Sequence, residues 1–300
     1  MIMRKVALML AVGIMAVSSA VLAHDPPDEL EIAVQFPAGS EPTIDGDCSE
    51  WDAVIPPAQY YLLGDKFYDG DHNRGGMDPS SQTITTRVGW SAATQKLYYC
   101  QSVFDDVHVV DRGDSYDWYD DDGAEPMFVA LHLADQEIRD FRDAEGVNPQ
   151  WGFNYAVPKA ASGDTWMVIS PCLACEWSLN DNEQHTFRWA FDGAEFGEST
   201  YHYEHEMRIL DNYPIGLDSY DDYSSFTWRE DVSDGEIIHG TFRNNDDDAD
   251  GSIDRWHTGS LGLGAFGLGD WYLEEINEDL PWDTATSVEA QSWGRIKAQY

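Results

Sequence analysis

The run Asp246-Asp247-Asp248-Ala249-Asp250-Gly251-Ser252-Ile253-Asp254 holds the sharpest chemical signal in this chain. Counted from Asp246, carboxylates fall at positions 1, 3, 5 and 9, with glycine at 6 and an apolar residue at 8. That is the spacing of an oxygen-ligand calcium loop. Gly251 permits the sharp turn that lets Ser252 offer its backbone carbonyl, so calcium is the expected cofactor and Asp246, Asp248, Asp250, Ser252 and Asp254 the expected ligands. Position 12, a bidentate Glu in a helix-loop-helix calcium hand, is His257, which argues against that particular form.

Two further clusters bear on function. Trp118 lies beside Tyr116, Asp117 and the triplet Asp120 to Asp122, in a segment too polar for a core. A tryptophan so placed can stack on the C-H face of a sugar ring while carboxylates accept from its hydroxyls; the same residue could equally serve as a loop anchor. His202-Tyr203-Glu204-His205-Glu206 invites a metalloenzyme reading. On a strand, however, His202, Glu204 and Glu206 share one face and His205 points the other way, and a zinc protease needs two His four apart on a helix. A structural strand is the better account. With 56 acidic residues in the chain, pairs of carboxylates are uninformative about glycoside hydrolysis, and no nucleophile motif stands out. The chain is read as more binder than enzyme.

Composition narrows the partners. The 300 residues carry 17 Lys+Arg against 56 Asp+Glu, a formal charge of -39, with 42% hydrophobic and 13% aromatic residues. That is apolar enough to fold, and so acidic that nucleic acids and anionic membrane surfaces are repelled. Cations and neutral ligands fit. Residues 1–23 read as an export signal: Arg4 and Lys5 precede an apolar run from Val6 to Val17, and Val21-Leu22-Ala23 forms a small-residue cleavage site. The mature chain, 24–300, is expected in the periplasm or outside the cell, with no membrane insertion after cleavage.

Four cysteines in an exported chain suggest disulfides. Of the three possible pairings, Cys48 with Cys100 and Cys172 with Cys175 is favoured. Cys172-Leu173-Ala174-Cys175 lacks the second metal pair, the haem-attachment His and the βαβ context that other readings of that spacing require.

These residues must be held by β-structure. Thr83 to Trp90 alternates, placing Ile84, Thr86, Val88 and Trp90 on one face. Leu97 to Phe104, Pro126 to Leu133, Trp151 to Val157, Thr165 to Ile169, His185 to Phe191, Thr200 to Ile209 and Gly235 to Arg243 have the same character, bounded by Gly, Asp, Asn or Pro. One stretch, Ala134 to Ala144, suits a helix. Gly64 to Ser81 and Leu210 to Tyr223 read as long loops, and Ser292 to Lys297 as a closing strand. The expected fold is all-β: a single antiparallel β-sandwich, jelly-roll or immunoglobulin-like, with long acidic loops over residues 24–300.

An ordered set of landmarks resembles the family 9 carbohydrate-binding modules and the wider DOMON-like superfamily. They are Pro42 to Gly46 with Glu50-Trp51, Arg87-Val88-Gly89-Trp90, Lys96-Leu97-Tyr98, Val103 to Asp106, Trp118 ahead of Asp122 to Glu125, Tyr203 to Ile209, and the acidic loop leading into Arg255-Trp256. The resemblance implies structural calcium and a sugar site in which Trp118 forms one aromatic wall while Glu125 and Arg255 bond hydroxyls. Trp256, Trp271 and Trp282 are candidates for the second wall, and the family's order favours Trp282. A family arginine on the strand around Phe153 is Asn154 here.

The function expected is noncatalytic binding of a neutral saccharide, stabilised by calcium, with a possible role beside glycoside hydrolases in an exported assembly. The alternatives are a haem b electron-transfer domain, for which Met127, Met167 and Met207 are the methionines on predicted strands, and a calcium-dependent surface structural protein.

Overall fold

A computed structural model describes residues 30–56, 60–69, 76–111, 121–132, 135–159, 164–170, 182–194, 196–215, 223–258 and 269–282. The expected signal segment, Trp118, Cys172, Cys175 and the expected strand Ser292 to Lys297 lie outside these residues. In chain order the elements are β1 (Leu30–Gln35), α1 (Ser49–Val54), β2 (Leu62–Leu63), a 3-10 turn (Gly64–Lys66), β3 (Gln82–Ser91), β4 (Lys96–Asp105), β5 (Gly123–Val129), α2 (Asp135–Glu145), β6 (Val147–Asn148) and β7 (Gln150–Lys159). Then follow β8 (Asp164–Ser170), β9 (His185–Asp192), β10 (Ser199–Arg208), β11 (Leu210–Pro214), β12 (Thr227–Trp228), β13 (Ile237–Asp246), β14 (Asp254–His257) and β15 (Gly269–Leu273).

The fold is all-β, built on one path of strands, β8-β7-β5-β13-β15-β1-β3-β4-β10-β9, with β14 added to β13 and β2 to β3. A small sheet, β12-β11-β6, stands beside it. The long path curls until its halves face one another: the rings of Tyr99 on β4 and Phe242 on β13, strands far apart along the path, lie 5.4 Å apart. Between the halves sit Ile84, Val88, Trp90, Leu97, Tyr99, Val103, Tyr201 and Tyr203 on one side, and Phe128, Ile238, Phe242 and Trp271 on the other. Burying each large side chain contributes about 1.5–3 kcal/mol. A polar bridge crosses this interior. Asn244 and Gln101 exchange amide hydrogen bonds of 2.8 and 3.1 Å, and Gln101 also donates to Thr86 Oγ1 at 2.8 Å.

Strand alternation follows the pattern expected from the residues. Ile84, Thr86, Val88 and Trp90 are all buried on the core side of β3, and on β10 Tyr201, Tyr203, His205 and Met207 are buried on one face. Three features differ from the expectation. The sheet is mixed, because β1 runs parallel to β15 through Leu30 to Ala33 and parallel to β3 through Val34 and Gln35. Strands from distant parts of the chain are not joined by a tight hairpin, so nothing local imposes antiparallel direction. Part of the loop expected from Leu210 to Tyr223 is a strand, β11, paired with β12 and β6. Finally, Asp246 and Asp254 belong to strand ends, which shortens the acidic loop to a hairpin turn.

A second cluster lies on the outer face of β4. Val34, Phe36, Trp51, Val54, Tyr98 and the joined cysteines pack there, with Trp51 and Val54 forming the buried side of α1. Cys48 is disulfide-bonded to Cys100, with Cα atoms 5.9 Å apart, as expected. Among the described residues, no helix is long and apolar enough to cross a membrane.

Candidate functional site

The acidic hairpin between β13 and β14 divides the five expected calcium ligands. Asp250 and Ser252 sit in its exposed turn, where Asp250 Oδ1 accepts from Ser252 N at 2.8 Å and from Ser252 Oγ at 2.6 Å. These bonds hold the Asp250 carboxyl below its ordinary pKa. Gly251, at φ +90°, and Ala249, at φ +56°, supply the left-handed backbone of the turn. Asp246, by contrast, is only 4% exposed. Burial, then the Asp105 and Asp248 charges, push its pKa up to about 8, and Ser81 Oγ donates to its Oδ2 at 3.3 Å. Asp248 is also shifted upward, by burial and by Asp106, Asp105, Asp250 and Asp254.

The sequence reading missed what stands behind Asp246. Asp105 closes β4, Asp122 immediately precedes β5, and both are fully buried with His108, whose Nδ1 lies 3.5 Å from Asp105 Oδ2 and 3.4 Å from Asp122 Oδ2. Burial and the Asp105 charge raise the Asp122 pKa well above the ordinary carboxylate range. Asp122 also ties the loops together: its Oδ1 accepts from Asp247 N at 2.6 Å and its Oδ2 from Val109 N. Asp105 and Asp106 carried a motif signal as the end of the Val103 to Asp106 landmark. Nothing local indicated that they meet Asp246.

A second row of polar side chains crosses the sheet. Glu125 on β5 stands opposite Arg243 on β13, Asn245 opposite Arg255 on β14, and Arg243 opposite His257. The register of β5 on β7 places Asn154 opposite Glu125. Paired residues share a face, so Glu125, Arg243, Asn245, Arg255 and His257 all lie on the side away from Phe128 and Phe242. Glu125 Oε2 and Arg243 Nη1 are 3.1 Å apart, with side chains 6% and 14% exposed. Burial drives the Glu125 pKa up to about 7 against the opposing pull of Arg243. Arg243 in turn is shifted down, by burial and by the neighbouring Arg255 charge, against the pull of Glu125.

The structure thus brings Glu125 and Arg255 onto one face and adds Arg243 between them, a residue the sequence did not single out. It does not bring the described candidates Trp256, Trp271 and Trp282 there. Trp256 alternates to the core side and is 6% exposed, and Trp271 is 1% exposed in the same core. Trp282 packs edge-on against Phe36, with ring centroids 5.8 Å apart, and donates from Nε1 to Asn277 O at 2.8 Å. It therefore belongs with the disulfide cluster. Met127 and Met207 are buried, and Met207 lies within the main core. In the strand ladders Met127 pairs with Thr241 and Gly152, while Met207 pairs with Leu97 on β4 and with His185 on β9.

The first landmark motifs meet in space. Glu204 on β10 accepts from Asp45 N at 2.8 Å and Gly46 N at 2.9 Å with Oε2, and from Trp51 Nε1 at 3.1 Å with Oε1. Glu50 accepts from Thr43 N at 2.8 Å. Gly46 is required here, because at φ +90° a Cβ would fall 2.8 Å from the Trp189 carbonyl carbon. Glu204 and Glu206 thus act in structure, with Glu206 bound to Lys96 at 2.8 Å, and His202 Nδ1 lies 2.9 Å from Ser102 Oγ.

No protein-family model matches the chain, and no curated protein matches it significantly. Among solved structures, the chain is similar to a family 9 carbohydrate-binding module from Caldicellulosiruptor kristjanssonii, solved with cellotriose, at 12% identity and a TM-score of 0.46 over 83% of this chain and 96% of that one. The same module solved with glucose is similar at 12% identity and a TM-score of 0.46, over 83% of this chain and 97% of that one.

Proposed function

We propose that this is an exported, noncatalytic protein that binds a neutral saccharide and is stabilised by calcium. The observation that carries the saccharide reading is the row Glu125, Arg243 and Arg255 on one sheet face, with Glu125 and Arg243 in contact and largely withdrawn from water. Sugar hydroxyls donate and accept at once. A carboxylate next to guanidinium groups offers both partners in fixed positions, and hydrogen bonds to charged groups are roughly twice as strong as neutral ones. The charge of -39 disfavours anionic glycans and leaves neutral ones unopposed. Trp118, outside the described residues, would supply the stacking wall that the family resemblance implies.

The residues at the acidic hairpin fit calcium. Oδ1 of Asp246 and Oδ1 of Asp106 are buried without a hydrogen-bond donor among the described residues, beside Asp105, Asp248 and Asp254. Buried carboxylate oxygens that receive no hydrogen bond suit the ligand set of a hard cation. Asp246, Asp248 and Asp254 would hold it with Asp105 and Asp106, while Asp250 and Ser252 shape the turn. Calcium would neutralise this cluster and lock the end of β13 to the end of β4. Isothermal titration of the mature protein against a panel of neutral glycans tests the reading. Binding that Glu125→Gln weakens supports it, and no binding across the panel in the presence of calcium overturns it.

A further inference from the structure

A second constellation lies at the other end of β13, seven residues from Asp246 and so about 24 Å along the strand. His239 on β13 faces Asp270 on β15 in register. His239 Nε2 is 2.8 Å from Asp270 Oδ1, and His132 Nε2 is 3.4 Å from Asp270 Oδ2. One ligand atom from each of the three side chains lies within 4.8 Å of the others. The two imidazoles meet edge-on, with centroids 5.2 Å apart. His239 and Asp270 side chains are fully buried, whereas that of His132 is 30% exposed.

We propose that His132, His239 and Asp270 form a binding site for a divalent first-row transition ion, zinc in the first instance. Two imidazole nitrogens and one carboxylate suit zinc, which takes N and O ligands at about 2.0–2.2 Å. Tetrahedral ligands at that radius stand about 3.3 Å apart; each imidazole nitrogen already faces its own oxygen of Asp270, at 2.8 and 3.4 Å, and one ligand atom from each residue lies within 4.8 Å of the others. The set offers two imidazoles to one carboxylate, whereas behind the hairpin His108 stands alone among carboxylates, and that nitrogen-rich set suits softer ions than calcium. Its scaffold is rigid on two sides: His239 and Asp270 are interior strand positions, and the segment carrying His132 is held where Arg229 Nη1 donates to Ala130 O at 2.8 Å. The exposed edge of His132 provides the entry path, and three protein ligands leave a fourth position for water.

The site is independent of saccharide and calcium binding, and the test keeps them apart. The mature protein, saturated with calcium to occupy the carboxylate sites, is titrated with zinc by calorimetry and with cobalt as a spectroscopic probe of nitrogen ligation. One equivalent of zinc, with cobalt bands of a low-coordinate N/O site, is expected. His132→Ala removes a partly exposed ligand and should weaken zinc at least about tenfold while leaving the melting temperature without zinc nearly unchanged. Asp270→Asn should also weaken it, and if that variant fails to fold, His132→Gln replaces it as the second comparison. No zinc uptake in calcium-saturated protein overturns the proposal. So does uptake that His132→Ala and His132→Gln leave unchanged.

Discussion

Asp246 and Asp254 stand directly opposite each other where β13 ends and β14 begins, two like charges closing one hairpin. Such a pair is destabilising in a bare ladder, and here Asp246 is buried as well. Calcium at a hundred times its dissociation constant would add about 2.7 kcal/mol. In a chain of this size that raises the melting temperature by about 4–5 °C over chelator-treated protein. Asp246→Asn should erase most of the difference and Asp250→Asn little of it. Melts with calcium and with chelator distinguish these outcomes, and identical wild-type melts would remove the site.

Saccharide binding should depend on Glu125 more than on its fold contribution. Glu125→Gln is expected to lower affinity at least about tenfold, the loss of one hydrogen bond to a charged group. It also leaves Arg243 without its ion-pair partner, which lowers stability. Replacing both, with Glu125→Met and Arg243→Met, should recover stability without recovering binding. Paired calorimetry and thermal melts on both proteins check this, and binding retained by the double variant would move the sugar elsewhere.

The bridge between Cys48 and Cys100 closes a loop with a sequence separation of 52. By the chain-entropy model, that constraint contributes about 4 kcal/mol. Cys48→Ser with Cys100→Ser should therefore lower the denaturation midpoint substantially. Reductant should shift the wild type toward the double variant and move the variant far less, because the expected Cys172–Cys175 bridge closes only a short loop.

The segment from Thr43 to Trp51, held by Glu50 and Glu204, should respond to pH. Burial, then the neighbouring Glu204, raise the Glu50 pKa from 4.5 to about 8, and burial raises Glu204 to about 7 despite three donated hydrogen bonds. Both folded-state values exceed the unfolded one. The contribution is thus complete below about pH 4.5 and is lost as the pH rises through about 7 and 8. Glu50→Gln keeps the acceptor for Thr43 N and removes the charge. It should raise the melting temperature at pH 8.5 by a few degrees and hardly change it at pH 5. A pH series of melts in fixed calcium reads the difference.

The amino-acid sequence by itself determined the local geometry of the strands. Alternation in Thr83 to Trp90 and in Thr200 to Ile209 assigned their faces correctly, because the side-chain period of a strand is a steric property of the backbone. The helix near Ala134 to Ala144 and the pairing of Cys48 with Cys100 were also legible. What required tertiary structure was every relationship across distant strands. The parallel direction of β1, the placement of Arg243 between Glu125 and Arg255, and the meeting of Asp105 with Asp246 are set by ladder register, which no local pattern encodes. The same holds for Trp282: the order of the resembling family favoured it as a sugar wall, and only tertiary packing on Phe36 put it with the disulfide cluster. Even within the acidic run, spacing weighted Asp246 and Asp250 alike, and the fold separated them by burying one carboxylate among like charges and turning the other to water, where Ser252 satisfies it.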